Sequence, residues 1–285
     1  MKFYDREMEL ELLLQSEKQA ERSAVFTVLT GRRRVGKTSL ISKALEGKNV
    51  AYLFVSKDSE AVLCQKFQQT IQEQLDIQVF GQISRFRDLF EMIMRESVQR
   101  PLTIVFDEFQ NLSKLNPAIF SEIQDVWDRY HRQSHINLIA SGSIVSLMKR
   151  IFEDKNEPLY GRPTSKFTLR PFTLTVLKQI FTDHCPNYNN EDLLCLYMIT
   201  GGVAKYVELL MDNGATTRDK MIEYIIRPDS IFLAEGKNLL IEEFGKDYGV
   251  YFSILSAIAS GHTQRSQIED IIGKEIGGYL TMLED

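Results

Sequence analysis

The sequence predicts an α/β fold in which a parallel sheet is covered by helices, followed by a second part that is helical. In the first 170 residues, short apolar runs alternate with segments of helical periodicity, the pattern of parallel strands joined by helical crossovers. After Pro171 the strand-like runs stop, and helical periodicity continues between turn-forming residues.

Composition excludes several classes of protein. The 285 residues are 44% hydrophobic and 26% charged, with only 16 Gly, which excludes collagen-like and low-complexity chains. The net charge of -5 gives no overall basic field for nucleic acid or anionic lipid. No apolar run approaches the roughly 18 residues that span a bilayer. The first residues lack the apolar core of a secretion signal, so we expect a cytoplasmic protein without a membrane partner. Three Cys and four His lack the spacing of metal ligands.

Five runs are predicted strands. The first four are nearly continuous in apolar residues, as strands buried on both faces are, whereas the fifth is more polar and ends near a proline. They cover residues 24–30, 49–55, 102–106, 136–141 and 166–172. Between them, apolar side chains recur at helical spacing and are predicted to cover the sheet, with Trp127 as a core residue.

A phosphate-binding loop is predicted between the first strand and the helical pattern that follows it. Residues 31–38, GRRRVGKT, match the pattern G-x-x-x-x-G-K-[ST] in this context. Glycines let backbone N–H groups face phosphates, and the helix N-terminus adds positive potential. We expect Lys37 to reach the β- and γ-phosphates and Thr38 to bind Mg²⁺. The predicted nucleotide contacts here are Gly31, Arg34, Val35, Gly36, Lys37, Thr38 and Ser39, with a solvated loop arginine as the open alternative for Arg34.

Two carboxylates follow the strand at 102–106. Asp107 and Glu108 are therefore predicted at the carboxyl edge of the sheet, where open α/β sheets bind ligands. Asp107 is expected to hold Mg²⁺, and Glu108 to polarise a water for attack on the γ-phosphate. The sequence lacks an N-K-x-D guanine-reading string, which favours adenine. Ser143, after the next strand, is predicted to sense the γ-phosphate or place the water, with a simple strand-ending turn as the open alternative.

Six ordered blocks together resemble the archaeal-type AAA+ ATPases, which are related to signal-transduction ATPases with numerous domains. The blocks are residues 3–13, 31–40, 104–112, 141–143, 159–172 and 201–207. The resemblance implies a P-loop NTPase fold of the AAA+ type at 1–170. It further implies a helical lid domain at 171–245 and a partial winged-helix-like segment at 246–285. It also implies that the wing and a further domain lie beyond Asp285, so that the chain is a truncated protein.

The resemblance also assigns individual residues. It places Tyr4 and Arg6 beside the adenine, where the sequence alone indicates a helix cap and a charged face. It implies that Arg162 faces a nucleotide, usually that of a neighbouring subunit; an ordinary loop arginine paired with an acidic residue is the alternative. Ala204 stands where family members usually have Pro, which puts nucleotide sensing by this block in doubt, and Lys205 can replace a sensing arginine or be merely exposed.

These features predict a Mg²⁺-dependent, ATP-hydrolysing molecular switch that couples nucleotide state to a partner, with a second copy or another protein completing the site. The alternative is an ATP-regulated DNA-binding protein that acts through the helix-turn-helix pattern at 246–285. That segment holds three basic and six acidic residues, which disfavours phosphate contacts. A small-molecule kinase is disfavoured because Glu108 stands beside Asp107 and no acceptor lid is evident.

Overall fold

All five predicted strands form one parallel sheet in the computed structural model, which describes residues 1–284. They are β1 (Val25–Thr30), β2 (Val50–Phe54), β3 (Leu102–Asp107), β4 (Ile136–Gly142) and β5 (Ser165–Thr168). The strand order is β2-β3-β4-β1-β5, and each pairing is parallel. Because the strands are parallel, their carboxyl ends meet at one edge, which is where the predicted site residues follow β1, β3 and β4.

Burial along the strands follows their position in the sheet. The inner strands β3 and β4 are buried at every residue, as their continuous apolar runs predict. The edge strand β5 alternates between half-buried and exposed residues, which explains its more polar sequence. Strand β5 ends earlier than predicted, at Thr168. The Leu169 N–H still donates to the Thr30 carbonyl, and the chain then turns away before Pro171, which has no N–H for the ladder.

Helices fill the segments between and after the strands. Those of the first part are α1 (Glu7–Ala20), α2 (Lys37–Ala44), α3 (Glu60–Leu75), α4 (Phe86–Gln99), α5 (Ile119–Tyr130) and α6 (Val145–Glu153), with a 3₁₀ segment at Phe109–Lys114. The later helices are α7 (Leu174–His184), α8 (Asn190–Thr200), α9 (Ala204–Asp212), α10 (Arg218–Ile226), α11 (Phe232–Phe244), α12 (Tyr248–Ala259), α13 (Arg265–Ile272) and α14 (Gly277–Glu284). The predicted helical second part is thus confirmed.

The sheet separates two hydrophobic clusters. The larger contains the apolar stripes of α3 to α6, with Phe106 of β3 among four aromatic neighbours. Trp127 is buried in it with its ring centroid 5.2 Å from that of Phe26, so its predicted core role is confirmed. The smaller cluster joins α1 and α2 to the opposite face through residues such as Leu13 and Leu40. Each fully buried side chain of this size contributes about 1.5–3 kcal/mol, so the two clusters fix both helical layers on the sheet.

The chain divides into two compact units. The first, Met1–Arg218, holds the sheet together with α7, α8 and α9. The second begins at Asp219, and its helices α12 to α14 share a small core around Ile254, Ile268 and Ile276. The predicted boundaries at 170 and 245, and the winged-helix-like character of 246–285, stay predictions. Among the residues described, no helix is long and apolar enough to cross a bilayer.

Candidate functional site

The predicted phosphate loop connects β1 to α2 and depends on two glycines. Gly31 has φ +155°, and a Cβ there would lie 2.7 Å from the Leu169 carbonyl oxygen, closer than atoms can approach. Gly36, immediately before α2, has φ +105°, a conformation that only glycine adopts readily. The pattern therefore needs its glycines for the reason the sequence indicated: the backbone curls tightly before the helix begins.

Lys37 is the first residue of α2, and its side chain folds back over the loop. Its Nζ donates to the carbonyl oxygens of Gly31 at 2.7 Å and Arg32 at 3.2 Å. Burial lowers the pKa of Lys37, while the carboxylates of Glu108 and Asp107 act in the opposite direction. The ammonium group thus lies at the loop, within the field of both acidic residues that follow β3.

Asp107 is buried at the end of β3, and both of its carboxylate oxygens accept hydrogen bonds. The Glu108 N–H donates to Oδ1 at 3.0 Å, and the Tyr52 hydroxyl on β2 donates to Oδ2 at 2.5 Å. Burial, and then the hydrogen bond to Asp107, raises the pKa of Tyr52. Tyr52 therefore holds one oxygen of the carboxylate that was predicted to bind Mg²⁺.

Glu108 has a left-handed backbone, with φ +56°, which is uncommon for a residue other than glycine and typical of functional turns. Its Oε2 accepts a hydrogen bond from the Ser143 hydroxyl at 2.6 Å and another from the Gln110 side-chain amide. Gln110 is only 1% exposed, in the 3₁₀ segment after β3. Two neutral donors thus fix the orientation of the Glu108 carboxylate.

The donor set suits magnesium that arrives with phosphates. Thr38 offers a hydroxyl and Asp107 a carboxylate, the hard oxygen ligands that Mg²⁺ takes in small number from a protein while substrate phosphates and water supply the rest. Within residues 1–284, no group of three or more His, Cys, Asp or Glu side chains is placed to hold a metal by itself. The residues therefore fit a metal shared with a nucleotide.

These groups face a cavity of about 550 Å³, within the range of small-molecule sites. The loop contributes Arg33, Arg34, Val35, Gly36, Lys37, Thr38 and Ser39; β3 contributes Asp107 and Glu108; and the remaining walls include Lys2, Tyr4, Arg6, Phe172, Ala204, Lys205 and Glu208. Among these lining side chains, six cationic residues face three acidic ones. This excess of positive charge favours a polyanionic ligand.

The N-terminal segment forms one wall of the cavity. Tyr4 is buried, its hydroxyl donates to Asp183 Oδ2 at 2.9 Å, and burial raises its pKa to about 12. Arg6 is also buried; it donates to the Arg170 carbonyl at 2.7 Å, and its guanidinium lies 4.8 Å from the Phe172 ring centroid. Tyr4 is thus fixed against α7, and Arg6 against the connection between β5 and α7, where Phe172 presents an aromatic ring.

Helix α9 contacts the loop directly. The Lys205 N–H donates to the Arg34 carbonyl at 3.1 Å, and the Arg34 guanidinium lies 5.8 Å from the Tyr206 ring centroid. Ala204, the first residue of α9, lies against Gly36. The Lys205 ammonium pairs with Glu208 at 2.7 Å. The block that departs from the usual Pro pattern therefore still reaches the phosphate loop.

The structure does not bring Arg162 into this cavity. Its guanidinium forms two contacts with the carboxylate of Asp128 on α5, at 2.9 and 3.3 Å, and donates to the Tyr160 carbonyl. This is the arrangement of a loop arginine paired with an acidic residue. A role for Arg162 at the nucleotide of a neighbouring subunit stays a prediction.

Sequence reasoning missed two residues that contact the acidic pair. In the sequence, Tyr52 resembles the other apolar residues of its strand, and no motif spacing indicates a role for its hydroxyl. Gln110 stands two residues after Glu108, but a polar residue there also suits an exposed turn. Only the strand order, with β2 beside β3, shows that Tyr52 reaches Asp107.

Comparisons with known proteins identify relatives of this chain. An uncharacterized protein of Methanocaldococcus jannaschii is 29% identical over 271 residues, covering 95% of this chain and 57% of that relative. The chain thus spans little more than half the length of the curated relative that it matches.

Solved structures show the same fold. A Walker-type ATPase of Pyrococcus abyssi superposes with a TM-score of 0.65 at 20% identity, covering 95% of this chain and 84% of that one. The ORC2 protein of Aeropyrum pernix, solved in ADPNP–ADP complexes, gives 0.61 at 14% identity, covering 95% and 80%. A signal-transduction ATPase with a tetratricopeptide-repeat sensor, from Pyrococcus horikoshii, gives 0.51 at 13% identity, covering 99% of this chain and 38% of that one.

The predicted P-loop ATPase fold, a parallel sheet flanked by helices, is thereby confirmed. The sequence match extends beyond the loop. Residues 3–210 match the family of ATPase domains found predominantly in Archaea, from the N-terminal wall of the cavity to α9. The chain belongs to this family of archaeal-type ATPase domains.

Proposed function

We propose that this chain binds ATP together with Mg²⁺, hydrolyses it, and acts as a molecular switch whose nucleotide state is coupled to a partner. One observation carries the proposal: Lys37 and Thr38 of the loop face Asp107 and Glu108 across a single cationic cavity. Membership of the ATPase-domain family supports the same activity.

Each residue has a distinct part in the proposed reaction. The loop N–H groups and Lys37 bind and orient the phosphates. Thr38 and Asp107 would hold Mg²⁺, which when bound offsets negative charge on the phosphate oxygens. Glu108 orients a water for in-line attack on the γ-phosphate and takes its proton, while Ser143 and Gln110 keep the carboxylate in place.

The proposed switch uses the contacts between α9 and the loop. A γ-phosphate that reorders the loop backbone at Arg34 would act on the Lys205 N–H bonded to it, so that α9 responds to nucleotide state. The partner is a second copy or another protein. In such an assembly Arg162 would leave Asp128 and face the neighbouring nucleotide, where an arginine finger contributes roughly 10³- to 10⁵-fold in rate.

The test is Mg²⁺-dependent ATP hydrolysis measured over a wide range of protein concentration. Lys37→Ala serves as the inactive variant, and Lys43→Ala on the same helix is the matched control, because Lys43 is exposed and pairs only with Glu46 among the contacts described. Glu108→Gln is expected to retain ATP binding and lose turnover.

The outcomes separate the parts of the proposal. Specific activity that rises with protein concentration supports a site completed between copies. Tight ATP binding without turnover indicates a switch that needs another partner. Absence of ATP binding by the wild-type protein, or equal activity in Lys37→Ala, would refute the proposal.

The DNA-binding alternative rests on the helix-turn-helix pattern alone. Helices α12 to α14 form a small apolar cluster, and residues 246–285 carry an excess of acidic side chains. Because non-specific DNA affinity comes largely from cations that neutralise phosphates, we do not propose DNA as the partner of this segment.

A further inference from the structure

Tyr52 occupies an unusual position for a strand tyrosine. Its ring packs beside the smaller core cluster, but its hydroxyl extends to the carboxyl edge of the sheet. There it donates to Asp107 Oδ2 at 2.5 Å. A hydroxyl from β2 thus contacts the carboxylate at the end of β3 that suits a metal.

We propose that Tyr52 is a positioning residue for the divalent cation: its hydroxyl fixes the orientation of the Asp107 carboxylate. This inference rests on the proposed function, since it assumes that Mg²⁺ enters with a nucleotide.

The geometry explains why one hydroxyl matters. Asp107 Oδ1 is fixed by the Glu108 N–H, so the bond from Tyr52 to Oδ2 completes the restraint on the carboxylate plane. Without it, the carboxylate can rotate about its terminal torsion, which is soft for Asp. A metal ligand that must first be ordered binds its ion more weakly, because the free-energy cost of ordering it reduces the free energy of binding.

Alternative explanations for the hydroxyl are weaker. A purely structural hydroxyl would be satisfied by one backbone carbonyl or by water. Tyr52 instead donates to the side chain of Asp107, which lines the cavity and is a hard oxygen donor suited to Mg²⁺. Tyr52 itself is not among the residues that line the cavity, so it acts through Asp107.

Tyr52→Phe tests the proposal because it keeps the ring and removes only the hydroxyl. The matched control is Tyr130→Phe on α5, which removes a hydroxyl that likewise donates to a carboxylate, that of Glu91 at 3.0 Å, away from the cavity. The probe is a non-hydrolysable ATP analogue, with its dissociation constant measured by calorimetry in EDTA and at increasing free Mg²⁺. Circular dichroism checks that each variant is folded.

In Tyr52→Phe, we expect the dissociation constant of the analogue in EDTA to be unchanged. The free Mg²⁺ concentration that gives half of the Mg²⁺-dependent gain in affinity should rise about 10- to 100-fold. Tyr130→Phe should match the wild type. An unchanged Mg²⁺ dependence in Tyr52→Phe would overturn the inference. A loss of affinity in EDTA as large as the loss in Mg²⁺ would also overturn it, because it would indicate that the hydroxyl supports the loop rather than the metal.

A second measurement tests the route through Asp107. In an Asp107→Asn background, Tyr52→Phe should add little further change in Mg²⁺ dependence, because the two substitutions remove the same interaction. A full additional loss there would refute action through Asp107. If the wild-type protein binds the analogue in neither condition, the proposed function itself fails, which is a result distinct from a normal Mg²⁺ response in the variant.

Discussion

The Glu108 carboxylate depends on two side-chain donors, and removing them gives a quantitative test of its role. Ser143 Oγ lies 2.6 Å from Oε2, the short distance of a charge-assisted bond, and Gln110 donates to the same oxygen. A hydrogen bond to a charged group contributes about 1.5–3 kcal/mol. Because the second donor still restrains the carboxylate, we take the lower end for a single loss.

At 1.36 kcal/mol for each factor of ten in rate, Ser143→Ala should lower kcat by roughly tenfold. Gln110→Met, which keeps the buried volume, should have a similar effect. The double variant should lose more than the product of the two, since the carboxylate then keeps neither side-chain donor. Steady-state ATP hydrolysis at saturating Mg²⁺ measures kcat, and the control is Thr182→Ala on α7, whose hydroxyl donates to the Lys178 carbonyl of the same helix.

Binding distinguishes this mechanism from direct phosphate sensing. If Ser143 only positions Glu108, the affinities for ATP and ADP should both stay within about twofold of the wild type. If Ser143 contacts the γ-phosphate instead, ATP affinity falls and ADP affinity does not. An unchanged kcat in the double variant would refute the positioning of Glu108 by these donors.

Three further predictions follow from the contacts of the loop and of α9. Gly31→Ala should lower the free energy of unfolding in urea by about 1–3 kcal/mol, because its Cβ would meet the Leu169 carbonyl. The control is Gly47→Ala, at φ +77° in open space, which should lower the free energy of unfolding by less. Equal losses in the two variants would refute the steric argument. Ala204→Pro should leave the free energy of unfolding unchanged or raise it by about 0.4–1 kcal/mol, because Ala204 begins α9 and Val203 has backbone angles favoured before a proline, φ -66° and ψ 120°. A clear loss of stability would contradict this. Arg162→Ala should leave ATP affinity unchanged, because Arg162 does not line the cavity. It should lower turnover only where activity depends on protein concentration. Weaker ATP binding by the isolated variant would contradict the position of Arg162 outside the cavity.

The sequence allowed the strands and the loop to be predicted because their determinants are local. Continuous apolar runs identify β3 and β4, since both faces of these inner strands are buried. The loop pattern identifies Lys37 because a tight turn before a helix needs glycines at fixed positions. The end of β5 was predicted less well, because an edge strand has a weaker apolar pattern and the chain leaves the ladder gradually.

The contacts between strands could not be predicted in the same way. Strand order depends on how the whole chain packs, and Tyr52 is 55 residues from Asp107 in sequence. The Arg162 side chain illustrates the same limit: its pairing with Asp128 depends on where α5 lies beside the loop after α6. A motif identifies the residues of a site, but the tertiary fold decides which neighbours orient them.

The strand order explains how two neighbouring carboxylates can be oriented separately. Strand β3 lies between β2 and β4, so each neighbouring strand brings one hydroxyl to the same edge of the sheet. Tyr52 of β2 reaches Asp107, and Ser143 after β4 reaches Glu108. Adjacent carboxylates in sequence would otherwise compete for the same donors and repel each other. Because their partners come from opposite sides, the two carboxylates are oriented independently, as the proposed division between a metal ligand and a base for water requires.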